Sequence, residues 1–383
     1  MGPLAGVRIL ELAGLGAAPY GCMMLADMGA EVVRIERPVS NPRSLRDPQL
    51  RNRRSVVLDL KKPEAVEVLL GLVESADVII EAYRPGVAER LGIGPEVCLA
   101  RNPRIIYGRM TGWGQSGPLA QAAGHDMNYI ALTGMLSMIG PRGGKPVPPY
   151  NVVGDFGGGG LLMAYGLVCA LLEARQSGKG QVVDVAMIDG AISFMGMTFE
   201  NRANGNFREG VGENVLTGAA HYYDTYETSD GKFVCIAPIE SQFYALLIDK
   251  LGLDRARFIP AGYPALDETT RDVTWPALKG ELAAVFRSQT RDEWCALLEG
   301  TDVCFAPVLG VEEATRHPHN VAREAFIEVD GIVQNAPAPR FSRTVASRPT
   351  PPRMPGADSD AVLSEWKIDA GLAARARASG GVR

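Results

Sequence analysis

Apolar residues fall along the chain in short runs parted by stretches of helical periodicity. Val7 to Leu12 is a β-capable run ending at Ala13-Gly14, and Cys22, Met23, Leu25, Ala26 and Met28 then recur at helical spacing until Gly29. Glu31 to Ile35, Ser55 to Leu60, Asp77 to Ile80 and Ile105 to Met110 read as further strands, with a helix over 64–74. Strands alternating with helices make parallel βαβ units, whose ligands collect at the C-terminal strand ends. A long apolar helix opens at Gly157 to Gly160, runs to about Arg175 and turns through Gln176-Ser-Gly-Lys-Gly180 into a strand over 181–186.

The texture changes after about Gly205. Tyr222 to Thr228 and Lys232 to Ala237 flank Ser229-Asp230-Gly231, a hairpin signal in its Asp-Gly step, and several helices follow. The pattern predicts a large α/β domain over 1–205, a linker over 206–220 and a smaller α+β domain over 221–316. Asn335 to Pro355 is proline-rich and polar, an extended crossing of another surface, and residues 356–383 form a tail that ends rich in Ala, Gly and Arg. No internal repeat is present.

With 46% hydrophobic and 22% charged residues among 383, the chain is globular rather than disordered. Its 39 Lys and Arg against 44 Asp and Glu give a net charge of −5. No overall basic field therefore holds a nucleic acid or an anionic membrane, and an anionic ligand needs a local basic site. Cysteines 22, 98, 169, 235, 295 and 304 are far apart, without a C-x-x-C pair, and read as reduced thiols of a cytoplasmic protein. The opening MGPLAGVRILELAG lacks the basic and apolar regions of a signal peptide, and no stretch of membrane-spanning length is free of charge. None of His125, His221, His317 and His319 sits in a metal-binding motif, so no metal is expected.

Gly14-Leu-Gly16-Ala-Ala-Pro19, with Glu36 beyond it, imitates the dinucleotide fingerprint G-x-G-x-x-G. Pro19 stands where the third glycine would pack, which favours a tight strand-to-helix turn over nucleotide binding. Arg37, Lys61, Arg84 and Arg90 follow successive strands and converge on one sheet edge, either as a site for phosphates or as separate solvated charges. Gly124-His125-Asp126-Met-Asn128-Tyr129 sets an imidazole beside a carboxylate, as an acid/base pair or as a satisfied histidine with a helix-capping acid. Asp155 stands at the mouth of a helix whose next turn is Gly157 to Gly160. Four successive glycines destabilise a helix, so something requires their lack of side chains. Either a ligand approaches the unpaired amides, which stabilise developing negative charge, or helices cross tightly there. Glu240 alone reads as an acid at a helix N-terminus. Met127, Met135, Met138, Met163, Met187, Met195 and Met197 line an apolar surface for an acyl chain or else fill the core.

Taken together, GVRILELAG with LADMGAEVVRIERP, RNRRSVVLDLK, EAYRPGVAERLGIGPE, YGRMTGWGQSGP, GHDMNYIALTG, NVVGDFGGG and GKGQVVDVAMIDG strongly resemble the alpha-methylacyl-CoA racemases, a group within the family III CoA-transferase superfamily. The resemblance spans about residues 3 to 350 and includes YYDTYETSDGKF and APAPRFSR. It implies a large Rossmann-like parallel-sheet domain completed by a return segment over 317–355, a smaller domain between, and an interlocked homodimer. It makes His125 and Asp155 the acid/base groups flanking the α-carbon of a 2-methyl-branched acyl-CoA, with Glu240 a carboxylate supporting His125. Arg37, Leu58, Asp59, Leu60, Lys61, Ala82, Tyr83, Arg84 and Arg90 match segments that bind coenzyme A, and Gly124, Asn128 and Tyr129 lie along the pantetheine and thioester. Coenzyme A enters as part of the substrate, and no separate cofactor is implied.

The implied reaction interconverts (R)- and (S)-2-methylacyl-CoA through an enolate, with His125 on one face, Asp155 on the other and the amides near Asp155 stabilising the enolate oxygen. CoA transferases of the same superfamily use the aspartate matching Asp126 as nucleophile, which makes a transferase the alternative. His125 and Asp155 together favour proton transfer. An acyl-CoA binder without turnover and an NAD oxidoreductase built on Gly14, Gly16 and Glu36 are the remaining readings.

Overall fold

Valine- and isoleucine-rich runs, buried on both faces except in the exposed edge strand over 181–186, build the sheet that carries the site. In the computed structural model, which describes residues 2–38 and 45–383, β1 (Arg8–Leu12), β2 (Glu31–Glu36), β3 (Arg53–Val57), β4 (Val78–Glu81), β5 (Ile106–Thr111) and β6 (Gln181–Ala186) are all parallel. Their order is β3-β2-β1-β4-β5-β6. Side chains alternate between two cores: Leu10, Leu12, Val33, Ile35 and Val56 face one, Ile9, Val32, Ile80 and Ile106 the other. The second core is closed by α1 (Ala17–Asp27), and the first by α2 (Pro63–Glu74), which starts on a proline whose missing N–H is harmless in a first turn. Short helices α3 (Val87–Arg90) and α4 (Pro95–Arg101) precede β5, and α5 (Asp126–Leu132) follows it. A π-helical stretch, Val152–Leu161, continues into α6 (Leu162–Ser177), and α7 (Met187–Ser193) leaves β6. These 26 residues, 152–177, are long and apolar enough to cross a membrane, but Met163, Leu167 and Ala170 pack in the core beneath the sheet.

The chain divides into two units, one of Met1–Thr133, Tyr150–Phe194 and Glu324–Arg383, the other of Gly134–Pro149 and Met195–Arg323. The division differs from the sequence expectation, which kept 134–149 and 195–205 in the first domain, made 206–220 a linker and began the return segment at 317, whereas the second unit takes in all of 195–323. Local hydrogen bonds tie 134–149 to the second unit: Gly212 N–H donates to the Met138 carbonyl at 3.0 Å, and Arg142 binds Glu213 at 3.0 Å. The second unit carries an antiparallel sheet β7 (Asp224–Glu227), β8 (Phe233–Ile236) and β9 (Phe305–Val308) over an aromatic core of Tyr222, Tyr226, Tyr244, Phe258, Trp275 and Phe286. His221 is buried in that core, its Nε2 2.5 Å from the Tyr244 hydroxyl, and burial pushes its pKa down to about 3.

Two segments are more structured than the sequence expectation. A hairpin, Phe326–Val329 with Ile332–Asn335, precedes the extended stretch, turning at Asp330-Gly331 with both residues at positive φ. The tail folds into helices Ser359–Glu365 and Ala370–Ala378, which bury Val362, Leu363, Trp366 and Ala376 against α2 and the sheet.

Candidate active site

In a parallel sheet of this order, the loops after β1 and β4 leave in opposite directions and open a crevice at the carboxyl edge. A cleft of about 400 Å³ lies there, lined by Leu15 after β1, Tyr83 and Arg84 after β4, Trp113 after β5, and His125 and Tyr129 at the start of α5.

His125 is exposed, in extended conformation (φ −135°), immediately before α5. Its backbone N–H donates to Asn128 Oδ1 at 3.0 Å, and Asn128 N–H donates back to the His125 carbonyl at 2.8 Å. The Tyr129 hydroxyl donates to the Gly124 carbonyl, and its ring stands edge-on to Trp113 with centroids 4.8 Å apart. A Cβ at Gly112 would fall 2.1 Å from that ring. Tyr129 is thus a buried prop under the His125 backbone, and burial raises its pKa to about 12.

Asp126, 4% exposed, turns away from the cleft. Its Oδ2 accepts the N–H of Gly154 at 2.6 Å and of Asp155 at 2.8 Å, while Oδ1 is buried without a partner among the described residues. The amides of Gly154 and Asp155, two of those near Asp155 expected to stabilise an enolate, are therefore occupied. The first-turn amides of α5, Asp126 and Met127, have no acceptor among the described residues. Asp155 is half-buried, with Asn151 Nδ2 3.3 Å from its Oδ2. Burial holds its carboxyl above the ordinary carboxylate range, and the Asp126 charge adds to this, against the opposing pulls of Asn151 and His125. A Cβ at Gly16, whose φ is +68°, would lie 3.7 Å from Asp155 Oδ2, which places the carboxyl beside the first loop.

The glycine run resolves the pair of readings left open by sequence. A Cβ at Gly158 would sit 2.8 Å from the Ala191 nitrogen, at Gly159 2.9 Å from the Ala17 Cβ, and at Gly160 2.5 Å from the Ala17 carbonyl oxygen. These glycines let α1 and α7 cross the helix at backbone distance, and no ligand is needed to explain them. Glu36 likewise has a structural partner, Arg34 at 2.8 Å, and Arg34 also donates to the Gly14 carbonyl at 3.2 Å. Met163 is in the core and Met127 is exposed, so the methionines form no single surface.

The four cations follow three strand ends of one edge. Arg37 after β2 lies over the ring of Tyr83 after β4, 5.4 Å from its centroid, so two loops meet across the end of β1. Arg84, Arg90 and Lys61 are exposed, and none of the four has an ion-pair partner among the described residues. A group missed by sequence reading holds the Tyr83 loop. Buried Glu81 accepts Tyr83 N–H at 2.6 Å and Arg109 Nε at 2.9 Å, and Arg109 reaches Glu89 of α3 at 2.8 Å. The signal was a Glu in β4 and an Arg in β5, register partners in otherwise apolar strands. Leu58 is buried, and Asp59 and Leu60 are part-exposed in the turn that presents Lys61. Glu240 belongs to the second unit and directly precedes the helix Ser241–Lys250, its carbonyl accepting Tyr244 N–H at 3.0 Å.

Residues 4–359 match CoA-transferase family III, and the chain belongs to that family. Among its relatives, the alpha-methylacyl-CoA racemase of Mus musculus is 43% identical over 96% of this chain and 92% of its own. The alpha-methylacyl-CoA racemase of Homo sapiens is 42% identical over 90% and 87%. The crystal structure of a CaiB/BaiF family protein from Brucella suis superposes with a TM-score of 0.80 at 26% identity, covering 95% of this chain and 99% of that one.

Proposed function

We propose that this chain interconverts the (R) and (S) forms of 2-methyl-branched acyl-CoA thioesters by moving the α-proton, as the names of its mouse and human relatives suggest. The observation that carries the mechanism is the hydrogen bond from Asp155 N–H to the carboxylate of Asp126, next in sequence to His125, which brings a carboxyl of raised pKa within electrostatic reach of the imidazole that lines the cleft. One group removes the α-proton and the other returns a proton to the opposite face. The amides of Asp126 and Met127 are the donors left to face the enolate oxygen. Coenzyme A lies along Arg37, Lys61, Arg84 and Arg90, and enters as part of the substrate with no separate cofactor. The carboxylate supporting His125 is Glu240, a role that rests on the resemblance.

The transferase alternative needs Asp126 to attack the thioester, and its burial and two amide donors argue against it. Incubating one epimer in deuterium oxide should yield both epimers labelled at the α-carbon. Exchange of CoA between carboxylic acids, with a hydroxylamine-trapped acyl group on Asp126, would make the chain a transferase.

The assembly is an interlocked homodimer, working in the cytoplasm with its cysteines reduced. Residues 336–349 stand off the Phe326–Asn335 hairpin around an opening of about 670 Å³, room for a partner's chain. Leu161, Tyr165 and Leu172 expose an apolar stripe at helical spacing, 46%, 66% and 55% accessible. Sedimentation at micromolar concentration should give twice the chain mass without dissociation on dilution.

A further inference from the structure

The family match stops at residue 359, yet residues 356–383 are bound to β3, the outermost strand of the parallel sheet. Part of that contact covers a free edge. Asp358 N–H donates to the Ser55 carbonyl at 3.0 Å, Asp358 Oδ2 accepts Ser55 N–H at 3.0 Å, and Gly356 N–H donates to Ser55 Oγ at 3.0 Å. Edge protection does not account for Gly381 and Val382, which pair beyond the end of the strand. After the helix Ala370–Ala378 the chain turns at Gly380 and pairs with the segment that leaves β3. Leu58 and Val382 form an antiparallel bridge, the Gly381 carbonyl accepts Asp59 N–H at 2.8 Å, and Arg383 N–H donates to the Val57 carbonyl at 3.3 Å.

From its other side the same segment is held by β2, because Leu58 N–H donates to the Glu36 carbonyl at 3.0 Å. Asp59 then shapes the turn: its carboxylate accepts Lys61 N–H at 3.2 Å and its carbonyl accepts Lys62 N–H at 2.8 Å. Gly381 is wedged against the start of α2, where a Cβ would stand 3.1 Å from the Ala65 Cβ and 3.2 Å from the Ala376 carbonyl oxygen. Lys61 projects from this turn, exposed and without an ion partner among the described residues.

We propose that residues 380–383 are a positioning element for coenzyme A: they fix the Leu58–Lys61 turn so that Lys61 and the turn's backbone meet the ligand pre-organised. The proposal rests on the reading that this turn binds coenzyme A. A lysine on a mobile turn pays ordering entropy on binding, and the clamp removes that cost in advance.

The test compares three full-chain or near-full-chain proteins with wild type: Gly381→Val, a chain ended after Gly380, and Lys61→Ala. Each is measured for free coenzyme A affinity by calorimetry and for KM and kcat on a 2-methylacyl-CoA. The Gly381→Val and shortened proteins should each lose affinity and gain KM by about fivefold or more, with kcat within about twofold, since remote binding contacts act equally on ground and transition states. Lys61→Ala should do the same. Wild-type affinity in Gly381→Val and in the shortened chain, beside weakened Lys61→Ala, overturns the clamp and leaves the binding turn standing. Wild-type affinity in Lys61→Ala removes the turn from the coenzyme A site and the proposal with it. Where the shortened chain does not fold, hydrogen exchange at the Asp59 amide of Gly381→Val decides: faster exchange with unchanged affinity, or a fall in kcat at constant KM, overturns it.

Discussion

Asp126 holds the backbone of Asp155, accepting its amide N–H at 2.8 Å while lying next in sequence to His125. His125 at the cleft and Asp155 are thereby joined through a third group, a carboxylate that itself turns away from the cleft.

Loss of either acid/base group should stop epimerisation while sparing one half-reaction. His125→Ala and Asp155→Ala are each expected to lower racemisation by roughly a hundredfold or more. Each should still exchange the α-proton of one epimer with deuterium, because the remaining base keeps its own face. Equal exchange of both epimers in either variant would show that the two groups do not divide the faces.

The Asp126 charge raises the Asp155 pKa, so its removal has a signed consequence. When Asp155 acts as base it must be ionised, and the rate falls as pH drops through its raised value. In Asp126→Asn that acid limb should move to lower pH, with the rate at neutral pH reduced far less than in Asp155→Ala. An acid limb that stays in place, measured on the epimer that Asp155 deprotonates, would detach the two carboxyls.

Binding at the strand ends should separate from chemistry. Arg37→Ala and Arg84→Ala are expected to raise KM for acyl-CoA more than they lower kcat, and Glu81→Gln should follow them by loosening the Tyr83 loop it holds. Unchanged KM in all three, from initial-rate kinetics, would place coenzyme A elsewhere.

The helix crossing at Gly158 predicts intolerance to a single methyl. Gly158→Ala would bring a Cβ to 2.8 Å from the Met187 carbonyl oxygen, and overpacking of this kind costs roughly 1–3 kcal/mol or more. Urea denaturation should show the midpoint falling accordingly. A variant as stable as wild type would mean that the crossing has slack.

His221 makes the second unit sensitive to acid. Folded, it stays neutral down to about pH 3, whereas an exposed histidine takes a proton near 6.5. The unfolded state therefore binds the extra proton as pH falls, and stability is lost between about 6.5 and 3 rather than gained. At pH 5 the loss from this residue is about 2 kcal/mol relative to neutral pH. His221→Phe should lessen the fall in unfolding free energy between pH 7 and pH 5, and the same slope in both proteins would refute the assignment.

The parallel sheet was legible because each strand is a short apolar run followed by helical spacing or glycine, and the basic residues after β2, β3 and β4 could be placed on one edge from topology alone. The motif around His125 and Asp126 was visible as an imidazole beside a carboxylate, but not the direction in which Asp126 points, since that depends on amides 28 and 29 residues away. The glycine run was open to two explanations because only the partners Ala17 and Ala191 distinguish a crossing from a ligand cradle. The C-terminal helices were missed because Ala370–Ala378 is alanine-rich with little amphipathic signal and Ser359–Glu365 is only seven residues long, although Trp366 and Val362 are buried in the large core.

Arg51, with none of its surface exposed, joins Asp27 to Gln334 and to the Asn335 carbonyl, residues 283 and 284 positions further along. During synthesis at roughly 5–20 residues per second, β3 and this guanidinium wait many seconds on the ribosome for their partners. The second unit, read out complete in that interval, can reach its own core first. The nascent sheet therefore spends that interval with its outer strand not yet covered by the C-terminal segment that pairs with Ser55.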